Sequence, residues 1–400
     1  MLRTTVSRCK ATSTAIARRF NSTTSDGLLK TPFYDLHVEL GGNMVGFAGY
    51  AMPVLYKGQS HIESHNWTRE KAGLFDVSHM LQHKFSGPGT TEFLESITPS
   101  DLKSLKPFSS TLSVLLNNQG GIVDDTIISK HGEDDFYVVT NAGCRDKDLK
   151  FFADELEKFG KGNVSRTTIT GGLLALQGPE AAATLQKLTT DNLSNIKFGE
   201  SQYISLLGGK YHAARGGYTG EDGFEVSIPD EAVALDFFKK LLDIEAVKPI
   251  GLAARDSLRL EAGMCLYGHE LNENITPVEA GLTWVIGKSR RTPETATFNG
   301  ADAILAQIAD KSLVKRVRKG IVVKGPAARE QMKVYSADGK ELVGEVTSGS
   351  FSPTTKQNIG MAYVPRDFKI GSDIKIDVRG KLRDAKIAKM PFVTPNYFRG

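Results

Sequence analysis

The stretch GGYTGEDGFEVSI (216–228) joins a turn to a strand in one short segment. Its TGEDG portion predicts a tight turn, because glycine adopts backbone conformations that other residues avoid. In the strand that follows, Phe224, Val226 and Ile228 share one face, which places Glu225 on the other face. A carboxylate beside a tight turn can accept hydrogen bonds from neighbouring amino and ring N–H groups, such as those of a pterin. A solvent-facing hairpin acid is the alternative.

A second motif, GLAARDSLRLEAG (251–263), predicts a helix with charged residues on one face. Arg255 and Arg259 are four residues apart and share that face, and Asp256 can pair with Arg259. A fixed guanidinium recognises ligand oxygens or carboxylates through two parallel hydrogen bonds. The alternative is a helix whose charges form structural ion pairs.

A third motif, GGIVDDTII (120–128), places two acids on a predicted strand after a Gly-Gly turn. Strand alternation puts Asp124 and Asp125 on opposite faces, each among apolar neighbours. At least one carboxylate is then half-buried, which raises its pKa unless a cation compensates. Such a group suits proton transfer or stabilisation of a developing cation. A turn or cap pair of aspartates is the alternative.

Around these motifs, helical and strand patterns alternate from Leu28 to about Gly287. Helices are predicted at 60–73, 148–159, 235–242 and 251–262, and strands at 111–117, 122–129 and 136–141. A polar connector at 289–300 precedes a helix near 301–313. The remainder predicts an all-β module with strands at 320–323, 333–335, 341–347, 359–364, 373–378 and 384–389.

Composition excludes several classes of protein. The chain has 400 residues, 40% of them hydrophobic and 24% charged, which is typical of globular proteins. No apolar run approaches the ~18 residues of a spanning helix, so membrane insertion is not expected. The net charge is +4, but residues 1–25 contribute +5 and leave the remainder at −1. A nearly neutral body offers no electrostatic footprint for nucleic acid. Three cysteines argue against a secreted disulfide scaffold.

The first 25 residues predict an import signal. They are rich in Arg, Ser and Thr and contain no acid, and their apolar residues fall on one helical face. A secretory signal would need a continuous apolar stretch, which is absent. We interpret 1–25 as a mitochondrial transit peptide, which places the mature protein in the matrix. A disordered basic tail is the alternative.

Familiar nucleotide and metal motifs are absent. There is no G-x-G-x-x-G, no complete phosphate-binding loop and no C-x-x-C. His61 and His65 have metal-capable spacing on a predicted helix, but Ile62 stands where a zincin needs Glu, so we interpret both as solvated helix positions. His79 and His83 are interpreted as strand or core residues. We therefore expect no metal and no nucleotide cofactor.

Further segments accompany the three motifs along the whole mature chain: GLFDVSHM (73–80), VVTNAG (138–143), LALQGPEA (174–181), LYGHELNENITPVEAGLTWVIGK (266–288), GEVTSGSFSP (344–353) and MPFVTPNY (390–397). Together they resemble the aminomethyltransferase, or T-protein, family of the glycine cleavage system. The resemblance implies a three-domain cloverleaf around tetrahydrofolate, with two interleaved α+β domains in 26–288. After the connector at 289–300, it implies a C-terminal β-barrel-like domain in 301–400.

The resemblance also implies roles for individual residues. Asp125 falls on the catalytic position, with Asp124 as a structural residue behind it. The folate-binding positions correspond to Glu225, Arg255 and Tyr397, and the same pocket is lined by Tyr218, Asn141 and Met80. Leu112 and Ser129 stand where some relatives carry tyrosines, which leaves open the contacts to the p-aminobenzoyl-glutamate tail of the folate.

The implied reaction releases ammonia from an aminomethyl group on the dihydrolipoyl arm of H-protein. The carbon passes to tetrahydrofolate, the co-substrate, and gives 5,10-methylenetetrahydrofolate. The implied partners are the lipoylated H-protein and, through the glycine cleavage complex, the P- and L-proteins. The densest basic run of the mature chain predicts a docking patch for H-protein, if that carrier is acidic. The alternative is a solvated helix end and linker. The run comprises Lys311, Lys315, Arg316, Arg318 and Lys319.

Two other functions are compatible with the folate-binding superfamily. One is a non-transferase factor for iron–sulfur cluster assembly, which carries a K-G-C-Y-x-G-Q-E motif. Residues 262–270 (AGMCLYGHE) do not fit that motif. The other is a flavoprotein dehydrogenase of dimethylglycine or sarcosine, which the missing dinucleotide fingerprint opposes.

Overall fold

The computed structural model describes residues 27–400, and its strands form four separate β structures. The predicted import signal at 1–25 lies outside the described residues. The strands in chain order are β1 (Gly42–Phe47), β2 (Tyr50–Tyr56), β3 (Ala72–Asp76), β4 (Leu81–Ser86), β5 (Ser110–Leu116), β6 (Ile122–Gly132), β7 (Asp135–Thr140), β8 (Ser165–Ile169), β9 (Gly172–Gln177), β10 (Ser201–Leu206), β11 (Gly209–Arg215), β12 (Gly223–Ile228), β13 (Val247–Pro249), β14 (Val317–Val323), β15 (Lys333–Tyr335), β16 (Leu342–Ser352), β17 (Gln357–Val364), β18 (Asp373–Asp377) and β19 (Leu382–Ala388).

The helices connect these strands and cover their faces. They are α1 (Tyr34–Glu39), α2 (His61–Glu70), α3 (Thr90–Ile97), α4 (Arg145–Phe159), α5 (Ala181–Gln186), α6 (Glu231–Leu242), α7 (Leu252–Glu261) and α8 (Ala301–Ala309). Within residues 27–400, none of these helices has the length and apolar character needed to cross a membrane.

Local signals set several helix ends. Ser60 and Glu63 form a reciprocal capping box at the start of α2, since each side chain accepts from the backbone N–H of the other. The Asp230 side chain accepts from two backbone N–H groups at the start of α6. Gly160 ends α4 in the left-handed conformation with φ +56°.

Two of the sheets are interleaved along the chain. The six-stranded sheet has the order β10-β11-β12-β9-β3-β13, and the five-stranded sheet has the order β5-β6-β7-β4-β8. The chain crosses from the first sheet to the second between β3 and β4, and it returns between β8 and β9. The segment that forms the five-stranded sheet is therefore inserted between β3 and β9 of the six-stranded sheet.

One apolar cluster joins the two sheets. Phe75 and Leu173 of the six-stranded sheet pack with Tyr137 and Val139 of the five-stranded sheet, and Leu258 of α7 packs in the same cluster. These side chains are at most 6% exposed. Strands β3, β7 and β9 are thereby held against α7, the helix of the second sequence motif.

The C-terminal strands close into a barrel with the order β14-β17-β16-β15-β18-β19, in which β19 pairs back onto β14. Helix α7 packs against α2, β2 and the barrel strands β16 and β17. The predicted α+β class, with two interleaved units and a C-terminal barrel, is confirmed. The domain limits at 288 and 300 stay a prediction, and Ile304 of α8 is buried with Val114 and Ile122 of the five-stranded sheet.

The helix predicted at 60–73 was wrong at its end. It stops at Glu70, and Gly73 lies inside β3 instead of ending the helix. A Cβ at Gly73 would lie 2.5 Å from Thr68 Oγ1 and 2.9 Å from Ile250 Cγ1. Glycine is therefore required here for close packing of α2 on the sheet, and not as a helix cap.

Candidate functional site

The Gly-Gly turn before Asp124 is packed too tightly for any side chain. A Cβ at Gly121 would lie 1.8 Å from the Glu273 carbonyl oxygen, and Asn117 Oδ1 accepts from the Gly121 N–H at 2.9 Å. The pairing of β5 with β6 shifts register between Leu115 and Leu116, directly opposite the start of the motif. This irregularity ends before Asp124 and Asp125, which pair regularly with β5 and are fixed by the strand.

Asn141, directly after β7, holds both aspartates. Its backbone N–H donates to Asp124 Oδ2 at 2.8 Å, and its side-chain amide donates to Asp124 Oδ1 at 2.9 Å. The same amide nitrogen lies 2.8 Å from Asp125 Oδ1. Asp124 is fully buried, whereas Asp125 keeps part of its surface exposed. Asp125 is therefore the member of the pair that a substrate can reach.

The environment of Asp125 adjusts its proton affinity. Burial is the main cause and the charge of Asp124 adds to it, and together they raise the pKa of Asp125 to about 7. The hydrogen bond from Asn141 acts in the opposite direction. A carboxyl with this pKa can both give and take a proton near neutral pH.

Glu225 and Arg255 form the second part of the site. Burial raises the pKa of Glu225, and the Arg255 charge opposes that rise. Burial likewise lowers the pKa of Arg255, and Glu225 opposes it. Both side chains are half-buried, and Arg255 Nη1 is a buried donor without a hydrogen-bond partner among the described residues. An unpaired buried guanidinium nitrogen is costly, so this geometry favours a ligand acceptor at that point.

Tyr218 covers Arg255. The Arg255 guanidinium lies 4.9 Å from the centre of the Tyr218 ring, and the Tyr218 hydroxyl donates to the Cys265 carbonyl oxygen. Burial raises the pKa of Tyr218, and the charges of Arg259, Asp125 and Arg255 act on it. The structure therefore brings Asp125, Asn141, Tyr218, Glu225 and Arg255 into one region.

Met80 and His79 lie at the edge of this region. Met80 packs against the cluster between the sheets, which includes Ala254 beside Arg255. His79 is 4% exposed and contacts Phe47 edge-on at 5.6 Å between ring centres. Burial lowers the pKa of His79 to about 4, and Arg255 contributes to the lowering. His79 is buried as predicted, but its proximity to Arg255 had no signal in the sequence.

Arg259, the other arginine of the helix motif, is structural. It is 1% exposed and donates to Asp256 Oδ1 at 3.0 and 2.9 Å and to Glu270 Oε2 at 2.9 Å. It also donates to the Ser348 hydroxyl of the barrel at 2.8 Å. The two interpretations of the helix motif therefore apply to different arginines. Arg259 forms structural ion pairs, and Arg255 keeps an unpaired donor that a ligand can use.

Tyr397 lies in the C-terminal tail, which returns to the six-stranded unit. The Asn396 N–H donates to the Gly220 carbonyl at 2.8 Å, which fixes the tail on the TGEDG turn. The Tyr397 ring stacks on Phe198 at 3.9 Å between centres. The charges that act on its pKa come from Arg399, Arg69 and Glu221, and not from the Asp125 region. Its role in ligand binding stays a prediction.

The interpretation of His61 and His65 as solvated was wrong for His65. This side chain is fully buried and bonds to Ser257 at 2.7 Å and to Glu261 at 3.1 Å. His61 also bonds to the Ser257 hydroxyl, at 2.8 Å. Because α2 packs on α7, the histidine face of α2 meets polar groups of α7 rather than solvent. His83 lies in β4 and is buried, as predicted.

Side chains that could hold a metal come together at one place within residues 27–400. The ligand atoms of Asp124, Cys144 and Asp148 lie within 4.8 Å of one another, and all three residues are buried. Burial raises the pKa of Cys144, as do the charges of Asp124 and Asp148. A protonated thiol is a poor metal ligand, so the group fits a shared proton better than a cation.

The predicted docking patch is smaller than its sequence suggests. Arg318 is not available to a partner, because it donates to the Ala280 carbonyl at 2.8 Å and to the Gly263 carbonyl at 2.9 Å. Arg316 is exposed but pairs with Glu279 at 3.2 Å. Arg318 therefore holds the barrel against the loop after α7, and its inclusion in the patch was wrong.

Two surface cavities, of about 410 and 340 Å³, lie on the barrel and beside Leu188. Neither is lined by a residue predicted for the site.

Two family models together match most of the described chain. The GCVT N-terminal domain matches residues 33–290, and the glycine cleavage T-protein C-terminal barrel domain matches residues 316–394. The mitochondrial aminomethyltransferase of Saccharomyces cerevisiae is 53% identical over 397 residues, which cover 96% of this chain and 98% of that protein. The probable mitochondrial aminomethyltransferase of Schizosaccharomyces pombe is 48% identical over 386 residues, with 96% and 98% covered. The crystal structure of glycine cleavage system aminomethyltransferase T from Bartonella henselae is 36% identical, with a TM-score of 0.86 over 93% of this chain and 100% of that chain.

Proposed function

The chain belongs to the glycine cleavage T-protein family, and from that premise we propose a role for each residue of the Asp125 site. The protein is a mitochondrial aminomethyltransferase. It releases ammonia from the aminomethyl group carried by H-protein and transfers the one-carbon unit to tetrahydrofolate. The iron–sulfur assembly alternative finds no support among these relatives, which are named aminomethyltransferases.

The direct partner in this proposal is the lipoylated arm of H-protein, and the P- and L-proteins belong to the same system. Tetrahydrofolate is a co-substrate, and we propose neither a metal nor a nucleotide as cofactor. The site should therefore provide a proton-transfer group, anchors for the folate and room for a thiol-linked carbon.

The reaction requires balanced proton transfers. The S–CH2 bond of the aminomethyl thioether and the CH2–NH2 bond both break, and two C–N bonds form to N5 and N10 of tetrahydrofolate. Two protons leave those nitrogens, one appearing on the ammonia and one on the thiol of the dihydrolipoyl arm. Because ammonia is a far better leaving group when its nitrogen is protonated, a group that can both give and take a proton is needed beside the carbon.

We assign that role to Asp125. The single observation that carries the assignment is a carboxyl that remains partly exposed while burial and Asp124 raise its pKa to about 7. Its ionised form can also stabilise the cationic carbon that forms when ammonia leaves. Asn141 fixes its orientation at 2.8 Å, and orientation of two bound partners supplies much of the remaining acceleration.

Glu225 and Arg255 are proposed as the folate anchors. Arg255 Nη1 offers a buried donor without a protein partner, and Glu225 offers an acceptor beside it. This pairing fits a pteridine ring, which carries a carbonyl oxygen next to amino and ring N–H groups. Tyr218 and Met80 are proposed to line the same pocket, with Tyr397 as a more distant ligand residue.

The experiment that tests the function measures ammonia release from aminomethylated H-protein with and without tetrahydrofolate. The wild-type protein should release ammonia rapidly only when tetrahydrofolate is present, and it should form methylenetetrahydrofolate in equal amount. Release that does not respond to tetrahydrofolate would contradict the proposed transfer.

A further inference from the structure

Behind Asp125 lies a second acid that the reaction scheme does not use. Asp148, in the first turn of α4, is fully buried, and no protein N–H among the described residues donates to its carboxyl, beside which the Thr140 hydroxyl is the neighbouring donor. Its neighbours are the carboxyl of Asp124 and the thiol of Cys144, with ligand atoms within 4.8 Å of one another. A buried carboxylate with a single hydroxyl beside it is poorly stabilised in its ionised form, so this group requires a proton or a counter-charge.

The position of the proton follows from the donors around each acid. Both oxygens of Asp124 already accept an N–H from Asn141, at 2.8 and 2.9 Å, whereas Asp148 accepts no N–H and has only the Thr140 hydroxyl beside it among the described donors. The ionised form is therefore better stabilised on Asp124, and the protonated form belongs on Asp148. Protonated Asp148 can then donate its O–H to Asp124 as a charge-assisted hydrogen bond.

The charges around the pair agree with one shared proton. Burial raises the pKa of both Asp124 and Asp148, and for Asp148 to about 7. The other charged or titratable groups that face the pair are Lys147, Cys144, Tyr267 and Asp125. Lys147 alone is cationic, and its ammonium donates to the Tyr267 hydroxyl instead of either acid.

We propose that Asp148 is a positioning residue, whose proton anchors the Asp124 carboxylate and thereby the amide of Asn141 against Asp125. The chain of contacts runs from Asp148 to Asp124, from Asp124 to Asn141, and from Asn141 to Asp125 at 2.8 Å. This inference rests on the proposed role of Asp125. It adds a residue of α4 that touches neither substrate but determines the charge and geometry beside the reacting carbon.

Two substitutions separate this role from simple packing. Asp148→Asn keeps an N–H donor for Asp124, so kcat should stay within about 3-fold of wild type, and the acid limb of its pH profile should not move. Asp148→Leu removes the donor, and kcat should fall about 10- to 100-fold, the worth of a hydrogen bond to a charged group. Without that donor Asp124 takes up the proton itself, which removes its charge from beside Asp125. The acid limb should therefore move to lower pH in Asp148→Leu.

The matched controls are Asp146→Asn and Asp146→Leu, since Asp146 lies in the same turn of α4 but is exposed. They should leave kcat and its pH profile unchanged. Tetrahydrofolate Kd should change little in all four variants. The inference is overturned if Asp148→Asn loses as much kcat as Asp148→Leu, or if neither variant changes kcat or the profile.

A direct measurement avoids dependence on Asp148→Leu, which can fail to fold. In an Asp125→Asn background, the infrared spectrum at neutral pH should contain the stretch of a protonated buried carboxyl, and adding Asp148→Asn should remove it. Persistence of that band in the double variant overturns the inference, as does a stoichiometric metal ion in the purified protein. If Asp125→Asn alone retains wild-type kcat, the proposed function of Asp125 fails. If Asp125→Asn is inactive and the Asp148 variants have no effect, only this inference fails.

Discussion

The side-chain amide of Asn141 lies 2.8 Å from the carboxylate of Asp125, and the same nitrogen also contacts Asp124 at 2.9 Å. This one amide therefore connects the acid proposed to transfer protons with the buried acid behind it. The hydrogen bond lowers the pKa of Asp125 against the stronger effect of burial, which raises it.

Loss of this amide should shift the pH dependence of catalysis. In Asn141→Ala, burial and Asp124 would act on Asp125 with less opposition, since only a backbone hydrogen bond would still lower its pKa, so this pKa should rise above about 7. If ionised Asp125 takes up a proton in the reaction, the acid limb of kcat should move to higher pH. Steady-state rates between pH 5.5 and 9 measure this shift, with Asn163→Ala, an exposed position in the same unit, as the control. A shift to lower pH would contradict the assignment.

Arg255 should contribute mainly to folate binding. Arg255→Leu removes the buried donor that lacks a protein partner, so tetrahydrofolate Kd should rise about 10- to 100-fold, as expected for a hydrogen bond to a charged group. Glu225→Gln should weaken binding in the same direction. Equilibrium fluorescence titration measures both constants.

Arg259→Leu is the comparison variant for Arg255→Leu, because Arg259 forms structural ion pairs with Asp256 and Glu270. It should lower Tm strongly, whereas Arg255→Leu should leave Tm nearly unchanged. An unaltered tetrahydrofolate Kd in Arg255→Leu would exclude Arg255 as an anchor.

Glu261 should stabilise the assembly of helices and barrel in a pH-dependent way. Burial would raise its pKa, but His65, Ser352 and Arg69 lower it from 4.5 to about 2. Because the folded-state pKa is lowered, the stabilisation is fully present above pH 4.5 and is lost as pH falls towards 2. At pH 7, Glu261→Gln should cost about 3–5 kcal/mol of unfolding free energy, as for a broken buried ion pair.

The Tm difference between wild type and Glu261→Gln should therefore be constant from pH 8 to pH 5 and should shrink below about pH 4.5. Calorimetry over that range measures it. The exposed substitution Glu157→Gln should give no difference at any pH. A Tm difference that grows on acidification would contradict the pKa shift.

The basic patch should affect H-protein kinetics and not folate affinity. In Lys315→Glu/Arg316→Glu, KM for H-protein should rise at low ionic strength, because exposed charges steer an oppositely charged carrier. Arg318 is left in place, since it bonds to backbone carbonyls. The control Lys340→Glu/Lys381→Glu changes the same number of exposed charges on barrel turns. Equal KM values for the two double variants would eliminate the patch.

Local patterns were sufficient to predict much of the architecture. Alternation predicted 122–129 and 136–141 as strands, and the structure has β6 and β7 there, because each strand buries apolar residues on the core side. The ends of elements were harder to predict. The sequence pattern predicted that Gly73 ends a helix, whereas in the structure Gly73 allows α2 to pack closely on β3. This contact joins two separate elements, so the local sequence does not reveal it.

The candidate site was predictable only where a motif concentrates polar groups. Asp125, Glu225 and Arg255 stand out as charges in apolar segments, and folding brings them into one region. Asp148 had no such signal, because its helix is rich in charges and only the tertiary fold shows that this one is buried beside Asp124. The prediction that His65 is solvated was wrong for the same reason, because the burial of His65 depends on the packing of α7.

The central claim is that Asp125, and not Asp124, carries the proton transfer. The most direct test is kcat for ammonia release from aminomethylated H-protein in Asp125→Asn and Asp124→Asn, each with tetrahydrofolate Kd measured beside it. Asp125→Asn should lower kcat about 10²- to 10⁴-fold, the usual contribution of a general acid or base, with Kd nearly unchanged. Asp124→Asn should be the milder variant, with its main cost in stability. Near wild-type kcat in Asp125→Asn, or inactivation by Asp124→Asn alone, would contradict the account.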